Sequence, residues 1–214
     1  MIQHIMFDFD GTLADTSEGI INSMHYAFDK LGVPRIKDSE IADSIGPPLE
    51  EMLKKLLRTD NQEYIRNGIT FFRERYGIQG LKELKLYPDV YHTLLQLQSK
   101  GKSLYIVTSK PEVFVKQICE KFGILSFFTD ITGVFVNESS MSKGKRMQLL
   151  MEKHEIDPTS AIMVGDRPED AEAAAVNHVA CIGMTYGFGR EAELNMAGCT
   201  SLSDSITQLI GLIA

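Results

Sequence analysis

The chain has 214 residues, of which 43% are hydrophobic and 24% are charged, which predicts a folded protein with one substantial core and a smaller lobe. Its net charge of -7 gives it no basic footprint for a phosphate backbone, so no nucleic-acid partner is predicted. No apolar run approaches membrane-spanning length and the N-terminus lacks a signal-peptide pattern. We therefore expect no membrane partner and a cytoplasmic location.

The cysteines and histidines indicate neither a disulfide framework nor a zinc site. Cys119, Cys181 and Cys199 are odd in number and widely spaced, without a Cys-x-x-Cys pair. The histidines show no spacing typical of metal ligands. This pattern favours a reducing compartment, and no role is predicted for these residues.

The first apolar run, from Ile2 to Phe9, predicts a buried strand that ends in Asp8 and Asp10 and is followed by Gly11. Side chains two residues apart on a strand point to the same side, so the two carboxylates are expected to converge. Ionised carboxylates at that distance repel each other unless a divalent cation lies between them or one carries a proton. The alternative is a plain turn, because Asp-Gly is a common turn dipeptide.

The stretch between residues 16 and 84 shows helical periodicity and no strand pattern. Four helices are predicted there, over residues 15–32, from 38 or 39 to 45, over 49–58 and over 62–76. Because this is too long for an ordinary connection between two strands, we interpret residues 16–84 as an inserted cap domain and residues 1–15 and 85–214 as the core. The cap turn at Gly46 and Pro47 is a candidate for setting substrate specificity.

From Leu86 onward, apolar strands alternate with amphipathic helices, which is typical of a parallel sheet with crossover helices. Strands are predicted at 104–107, 131–134, 161–164 and 179–182. Helices are predicted at 88–100, 111–122, 144–154, from about 168 to 177, and at 203–212. The sequence therefore predicts an α/β fold, with a doubly wound, Rossmann-like parallel sheet and an inserted four-helix cap.

Polar residues at the ends of these strands are expected to meet, because the carboxyl ends of parallel strands share one edge of the sheet. The set comprises carboxylates, a pair of hydroxyls and an ammonium: Asp8, Asp10, Asp166, Asp170, Thr108, Ser109 and Lys143. Carboxylates hold Mg²⁺, whereas hydroxyls, a lysine and the free backbone amides of Gly11 and Thr12 bind phosphate. The sequence therefore predicts a site for a phosphoryl group.

These residues resemble the motifs of the haloacid dehalogenase superfamily of aspartate-nucleophile phosphatases. Asp8-Phe-Asp-Gly-Thr-Leu-Ala-Asp15 is similar to its first motif, Val107-Thr-Ser-Lys-Pro111 to its second, Lys143 to its third and Gly165-Asp-x-x-x-Asp170 to its fourth. The helical insertion, with its Ile45-Gly-Pro-Pro-Leu49 turn, is similar to that of the group assigned to phosphoglycolate or 5′-nucleotide hydrolysis. Ser109 departs from the Asn of many relatives, and His178 from a common Gly.

The resemblance implies a catalytic role for Asp8, Asp10 and Lys143. Asp8 would attack phosphorus and form an aspartyl-phosphate, while Asp10 would act as general acid and then as general base. Lys143 would form a salt bridge to Asp8. A plain basic surface is the alternative for Lys143, because Lys145 and Arg146 stand next to it at a lysine-rich helix start.

The resemblance also implies a Mg²⁺ site and a phosphate site. Asp8, the main-chain carbonyl of Asp10 and Asp166 would hold the ion, and Asp170 would support the metal shell. The alternative for Asp170 is a favourable charge at a helix N-terminus. The substrate phosphate would be bound by Gly11, Thr108 and Ser109.

The function implied is a Mg²⁺-dependent phosphomonoester hydrolase that acts on a small phosphorylated metabolite and is similar to phosphoglycolate phosphatases. Three alternatives stay open: a 5′-nucleotidase acting on nucleoside monophosphates, a sugar phosphomutase similar to β-phosphoglucomutase, and a receiver-like signalling domain that accepts a phosphate. A dinucleotide pattern, Gly187-Phe-Gly189-Arg-Glu-Ala192, is interpreted as a loop near the site, because a dinucleotide unit needs another full strand ending in an acidic residue and we expect no space for one before Ala214.

Overall fold

The computed structural model describes residues 1–134 and 141–213, so part of the polar loop predicted from Asn137 to Lys143 lies outside the described residues. The elements are β1 His4–Phe7, β2 Ala14–Asp15, α1 Ser17–Leu31, α2 Asp38–Ala42, α3 Leu49–Leu57, α4 Gln62–Tyr76, β3 Lys85–Leu86, α5 Val90–Ser99, β4 Ser103–Pro111, α6 Glu112–Lys121, β5 Phe128–Val134, α7 Lys143–Lys153, β6 Ala161–Gly165, α8 Pro168–Val176, β7 Ala180–Met184, α9 Glu191–Met196, β8 Ser201–Ser203 and α10 Leu209–Leu212. In the described part of the chain, no helix combines the length and apolar character needed to cross a bilayer.

Six strands form one sheet in the order β5-β4-β1-β6-β7-β8, and every neighbouring pair is parallel. The register places Phe7 of β1 beside Ile106 of β4 on one side and Val164 of β6 on the other. Because the strands run in the same direction, their carboxyl ends lie along one edge. The predicted Rossmann-like parallel sheet is therefore confirmed.

Strand β1 lies in the middle of this sheet. Ile5, Met6 and Phe7 are completely buried, because a central parallel strand is covered on both faces. Met6 shares an apolar cluster with Met147 of α7 and Ala171 of α8. This packing holds both helices, and the polar residues at their N-termini, against the sheet.

The chain divides into two compact units, Met1–Ala14 with Leu86–Ala214, and Asp15–Lys85. The first contains the six-stranded sheet. The second contains the four helices α1 to α4, with Met24, Phe28 and Leu53 among its buried side chains. The chain passes between the units at β2 and β3, which pair in a two-stranded sheet that the sequence analysis does not predict.

The C-terminal stretch differs from the sequence prediction. A single closing helix over residues 203–212 is wrong, since Ser201–Ser203 form the edge strand β8 and only Leu209–Leu212 are α-helical. The Ser203 hydroxyl donates to the Ser205 carbonyl at 2.8 Å, and the Ser205 hydroxyl accepts from the Thr207 amide at 3.3 Å. Such bonds from short polar side chains to nearby backbone compete with helix formation.

Candidate active site

Three buried carboxylates, those of Asp8, Asp166 and Asp170, meet at the carboxyl edge of the sheet. Asp8 directly follows β1 and Asp166 directly follows the neighbouring β6, and the Asp8 amide donates to the Val164 carbonyl at 2.8 Å. Asp170 lies in the first turn of α8. One carboxylate oxygen of each residue lies within 4.8 Å of the other two. The structure thus brings together three residues that the strand pattern predicts at this edge.

Lys143, the first residue of α7, enters this cluster. Its ammonium lies 2.6 Å from Asp170 Oδ1 and 3.1 Å from Asp8 Oδ1, and its side chain is 5% exposed. Ser142 caps the helix, because its hydroxyl accepts from the Lys145 amide at 3.2 Å. Lys143 is therefore a buried partner of two carboxylates and not part of a basic surface.

The charges in this cluster act strongly on one another. Burial raises the pKa of Asp8 to about 7, against the opposing effect of the Lys143 ammonium. Burial, followed by the charges of Asp170 and Asp8, raises the pKa of Asp166 well above its usual range. Burial alone would lower the pKa of Lys143, but Asp170 and Asp8 outweigh that effect and raise it. Lys143 therefore stays protonated, but its single positive charge does not balance the negative charge that the three carboxylates carry when ionised.

Asp166 is held by hydrogen bonds to both of its carboxylate oxygens. The Thr12 hydroxyl donates to Oδ1 at 2.8 Å, and the Phe188 amide donates to Oδ2 at 2.8 Å. A Cβ atom at Gly187 or Gly189 would overlap atoms of Asp166. The glycine pattern first noted as a dinucleotide motif thus allows a loop to pack against an acidic side chain.

Asp10 has a different partner from Asp8. The ammonium of Lys110 lies 2.9 Å from Asp10 Oδ1 and 3.1 Å from Oδ2, and the Lys110 side chain is 4% exposed. Among the described residues, the side chain of Asp10 is not part of the cluster of Asp8, Asp166 and Asp170, and the contact of its main-chain carbonyl with a metal stays a prediction. The sequence motif around Thr108 includes Lys110, but no role is predicted for this lysine. The signal that could have shown its role is its position two residues after Thr108, at the end of β4.

Thr108 and Ser109 lie near the end of β4, which continues to Pro111, so that α6 begins at Glu112. Thr108 is buried, and its hydroxyl accepts from the Lys110 amide at 3.2 Å. A hydroxyl that accepts one hydrogen bond still has its own proton to donate. Ser109 is partly exposed.

The turn after β1 is closed by its own backbone. The Gly11 amide donates to the Ala14 carbonyl at 2.9 Å, and the Leu13 amide donates to the Phe9 carbonyl at 2.9 Å. The amide of Gly11 is therefore not free for a phosphate, contrary to the sequence expectation, because the tight turn already uses that donor. Glycine is needed here for another reason. Its φ is 84°, and a Cβ would overlap the Asp166 carboxylate.

Asp170 contacts both the backbone of its own helix and the ammonium of Lys143, while its support of a metal shell stays a prediction. Its Oδ2 accepts from the Arg167 amide at 2.9 Å at the N-terminus of α8, and its Oδ1 accepts from Lys143. The same carboxylate therefore stabilises its own helix and orients the lysine of the cluster.

Gly46 and Pro47 lie in the helical unit, between α2 and α3. Gly46 has a φ of 135°, a conformation that glycine adopts readily and other residues rarely adopt. Their part in substrate specificity stays a prediction.

Comparison with known families matches residues 5–184 to the model of the haloacid dehalogenase-like hydrolases. The chain belongs to this family. The resemblance drawn from the four motifs is thereby confirmed, and the receiver-like alternative has no support from it. As a haloacid dehalogenase-like hydrolase, the protein is an enzyme.

Three similar proteins are informative. A 5′-nucleotidase of Pseudomonas aeruginosa is 34% identical over 193 residues, which cover 89% of this chain and 86% of that protein. A phosphoglycolate phosphatase of Vibrio parahaemolyticus is 30% identical over 220 residues, covering 100% of this chain and 96% of that protein. The crystal structure of a predicted phosphatase from Clostridium acetobutylicum superposes with a TM-score of 0.95 at 33% identity, covering 100% of this chain and 98% of the other.

Proposed function

We propose that this haloacid dehalogenase-like hydrolase is a Mg²⁺-dependent phosphomonoester hydrolase that acts on a small phosphorylated metabolite through an aspartyl-phosphate. The observation that carries the proposal is the buried cluster of Asp8, Asp166 and Asp170 with Lys143. It combines carboxylates suited to a hard cation with an ammonium suited to a phosphate, at the sheet edge where ligands bind in this fold class. The names of the two curated relatives support the same reaction class.

The cluster fits a magnesium ion. Within the described residues, Oδ1 of Asp8 is buried without a hydrogen bond of regular geometry, although the Lys143 ammonium lies 3.1 Å away. Three carboxylates with one ammonium leave uncompensated negative charge, which a divalent cation would balance. The ion would be held by Asp8, Asp166 and the main-chain carbonyl of Asp10. Asp170 would not contact the ion directly. When bound, the ion supplies charge neutralisation for the phosphate and its nucleophile.

The reaction proposed begins at Asp8, whose carboxylate oxygen attacks phosphorus while the bond from phosphorus to the leaving oxygen breaks. Asp10 gives its proton to the departing alkoxide and later takes a proton from the water that hydrolyses the aspartyl-phosphate. Lys110 orients Asp10 through both carboxylate oxygens. Lys143 neutralises charge beside Asp8, and the Thr108 hydroxyl donates to a phosphoryl oxygen. Ser109 would supply a second hydroxyl to the bound phosphate.

The substrate class is also part of the proposal. A phosphoglycolate-like small phosphomonoester is the first candidate, and a nucleoside monophosphate is the second because the Pseudomonas relative is named a 5′-nucleotidase. We assign the inserted helical unit the role of a cap domain that selects the substrate, with Gly46 and Pro47 as its candidate specificity residues.

The proposed function is tested with a panel of phosphoglycolate, nucleoside monophosphates, sugar phosphates and pyrophosphate. We expect release of inorganic phosphate from at least one phosphomonoester, loss of release with a chelator and its recovery with added Mg²⁺. Formation of a sugar bisphosphate without net phosphate release would favour the phosphomutase. Release that persists unchanged in chelator would contradict the metal requirement.

The raised pKa values predict a pH-dependent effect of Mg²⁺ on stability. The pKa of Asp8 is about 7 in the fold, against an ordinary value of 3.8, so its stabilising contribution is complete below the ordinary value and is lost as pH rises through about 7. The shift for Asp166 has the same sign. In metal-free protein we therefore expect Tm to fall between roughly pH 5 and pH 8, and Mg²⁺ to raise Tm more at the higher pH, where protons no longer compete.

This prediction is checked by thermal denaturation with Mg²⁺ or chelator across that pH range. The Asp8→Asn variant serves as the control, because it cannot titrate at this position and should show a smaller dependence on pH. A Mg²⁺ effect on Tm that is equal at both ends of the range would contradict the prediction.

A further inference from the structure

The loop between β7 and α9, residues 185–189, packs around Asp166 and is called here the Tyr186 loop. Its Phe188 amide donates to Asp166 Oδ2 at 2.8 Å, and Arg167 Nη1 donates to the Phe188 carbonyl at 3.2 Å. Gly187 and Gly189 leave no room for a Cβ beside Asp166. The position of this loop therefore decides where one carboxylate oxygen of Asp166 lies.

Tyr186 anchors the loop to the turn that follows β1. Its hydroxyl donates to the Thr12 carbonyl at 2.7 Å, and the Thr12 hydroxyl donates to Asp166 Oδ1 at 2.8 Å. The two oxygens of Asp166 thus accept from the Thr12 hydroxyl and the Phe188 amide, which belong to two segments that the Tyr186 hydroxyl joins. Loss of the Tyr186 hydroxyl would therefore weaken both hydrogen bonds to the Asp166 carboxylate, the one from Thr12 and the one from Phe188.

The ring of Tyr186 also contacts Tyr87, with the two ring centroids 4.6 Å apart and the rings inclined at 52°. Tyr87 is the second residue of the core unit after the helical insertion, and its amide donates to the Leu13 carbonyl at 3.1 Å. A continuous chain of contacts, all within the core unit, therefore leads from the point where the chain returns from the insertion to Asp166.

We propose that Tyr186 is a positioning residue that fixes Asp166 for ion binding and couples occupancy of that site to the conformation of the chain at Tyr87. This rests on the proposed function, in which Asp166 is a metal ligand. The physical reason is that groups holding a metal ligand from outside set its orientation, and their loss weakens metal binding although they never touch the ion. The coupling would run through Tyr186, which contacts both the Thr12 carbonyl and the ring of Tyr87, and a reporter at Tyr87 tests whether the two ends respond together.

The first experiment titrates Mg²⁺ alone into substrate-free protein by calorimetry. For Tyr186→Phe, which keeps the ring and removes only the hydroxyl, we expect roughly tenfold weaker Mg²⁺ binding, and for Thr12→Val, one contact closer to Asp166, roughly 10- to 100-fold. Tyr105→Phe is the matched control, because the Tyr105 hydroxyl contacts His4 at 3.3 Å and is remote from these contacts. It should bind Mg²⁺ like the wild type.

The second experiment uses the absence of tryptophan from the sequence. Tyr87→Trp places a single tryptophan at the position that contacts the Tyr186 ring, and we expect Mg²⁺ to change its emission. Adding Tyr186→Phe should reduce that change. Tyr91→Trp, at a position on α5 that is 45% exposed, should show no response to Mg²⁺.

The outcomes separate this inference from the proposed function. Wild-type affinity for Mg²⁺ in Tyr186→Phe overturns the positioning role while the metal-dependent function stands, and Tyr87→Trp emission that does not respond to Mg²⁺ overturns the coupling. A wild type that binds no Mg²⁺ overturns the metal-dependent function and this inference with it. If the Tyr186 variant does not fold, the Thr12 variant and the tryptophan reporter decide the question.

Discussion

The Asp8→Asn variant is expected to release no measurable phosphate from any substrate that the wild type hydrolyses. An amide has almost the shape of a carboxylate but is not a nucleophile towards phosphorus. Among the described residues of the cluster, only Asp8 directly follows β1. Loss of a covalent nucleophile costs on the order of 10⁴-fold or more in turnover. The fold should survive, because burial already disfavours the ionised form of Asp8.

Asp170→Asn provides the matched control for charge. It also removes one carboxylate from the cluster but leaves the proposed nucleophile, so at saturating Mg²⁺ we expect reduced turnover and not its abolition. Single-turnover phosphate release and thermal denaturation of both variants check these expectations. Turnover by Asp8→Asn that equals or exceeds that of Asp170→Asn would overturn the nucleophile assignment.

Much of the fold and of the site follows from where apolar strands end. The carboxylates after β1 and β6 are adjacent in space because these strands are neighbours in a parallel sheet, and the strand pattern contains that information. The lysine at the start of α7 is harder to predict, since several basic residues stand near it in sequence. Only the packing of α7 on α8 shows that Lys143 is buried beside Asp8 and Asp170, whereas Lys145 is exposed.

The contacts that the sequence did not predict depend on side-chain direction or on backbone turns. Lys110 can reach Asp10 because β4 continues past Thr108 to Pro111. The pattern of apolar residues does not locate the end of a strand to within one or two residues. The Gly11 amide donates to the Ala14 carbonyl within a tight turn, and composition alone does not predict that hydrogen bond. Likewise, the sulfur of Cys181 in β7 lies 3.8 Å from that of Cys199, which precedes β8, although nothing in their sequence spacing indicates it.

The Lys143→Met variant should lose both activity and a large share of its stability in the absence of metal. The substitution keeps an apolar stem of similar length but leaves Asp8 and Asp170 buried without their ammonium partner. Breaking one side of a buried ion pair costs about 3–5 kcal/mol in the free energy of unfolding. We expect this loss at about pH 8 and a smaller one near pH 5, because Asp8, whose pKa is raised to about 7, then takes up a proton.

Lys145→Met is the control for Lys143→Met, because Lys145 is on the same helix but exposed, where its ammonium contacts only the Gln148 side chain at 2.9 Å among the described hydrogen bonds. Its free energy of unfolding should change by no more than about 0.5 kcal/mol. Chemical denaturation of both variants at the two pH values, with and without Mg²⁺, measures the difference. Saturating Mg²⁺ should restore part of the stability of Lys143→Met but little of its activity, because the ion can balance the carboxylate charge but cannot replace the ammonium beside the phosphate. Equal losses in the two lysine variants would contradict the view that Lys143 is the counter-charge on which the cluster depends.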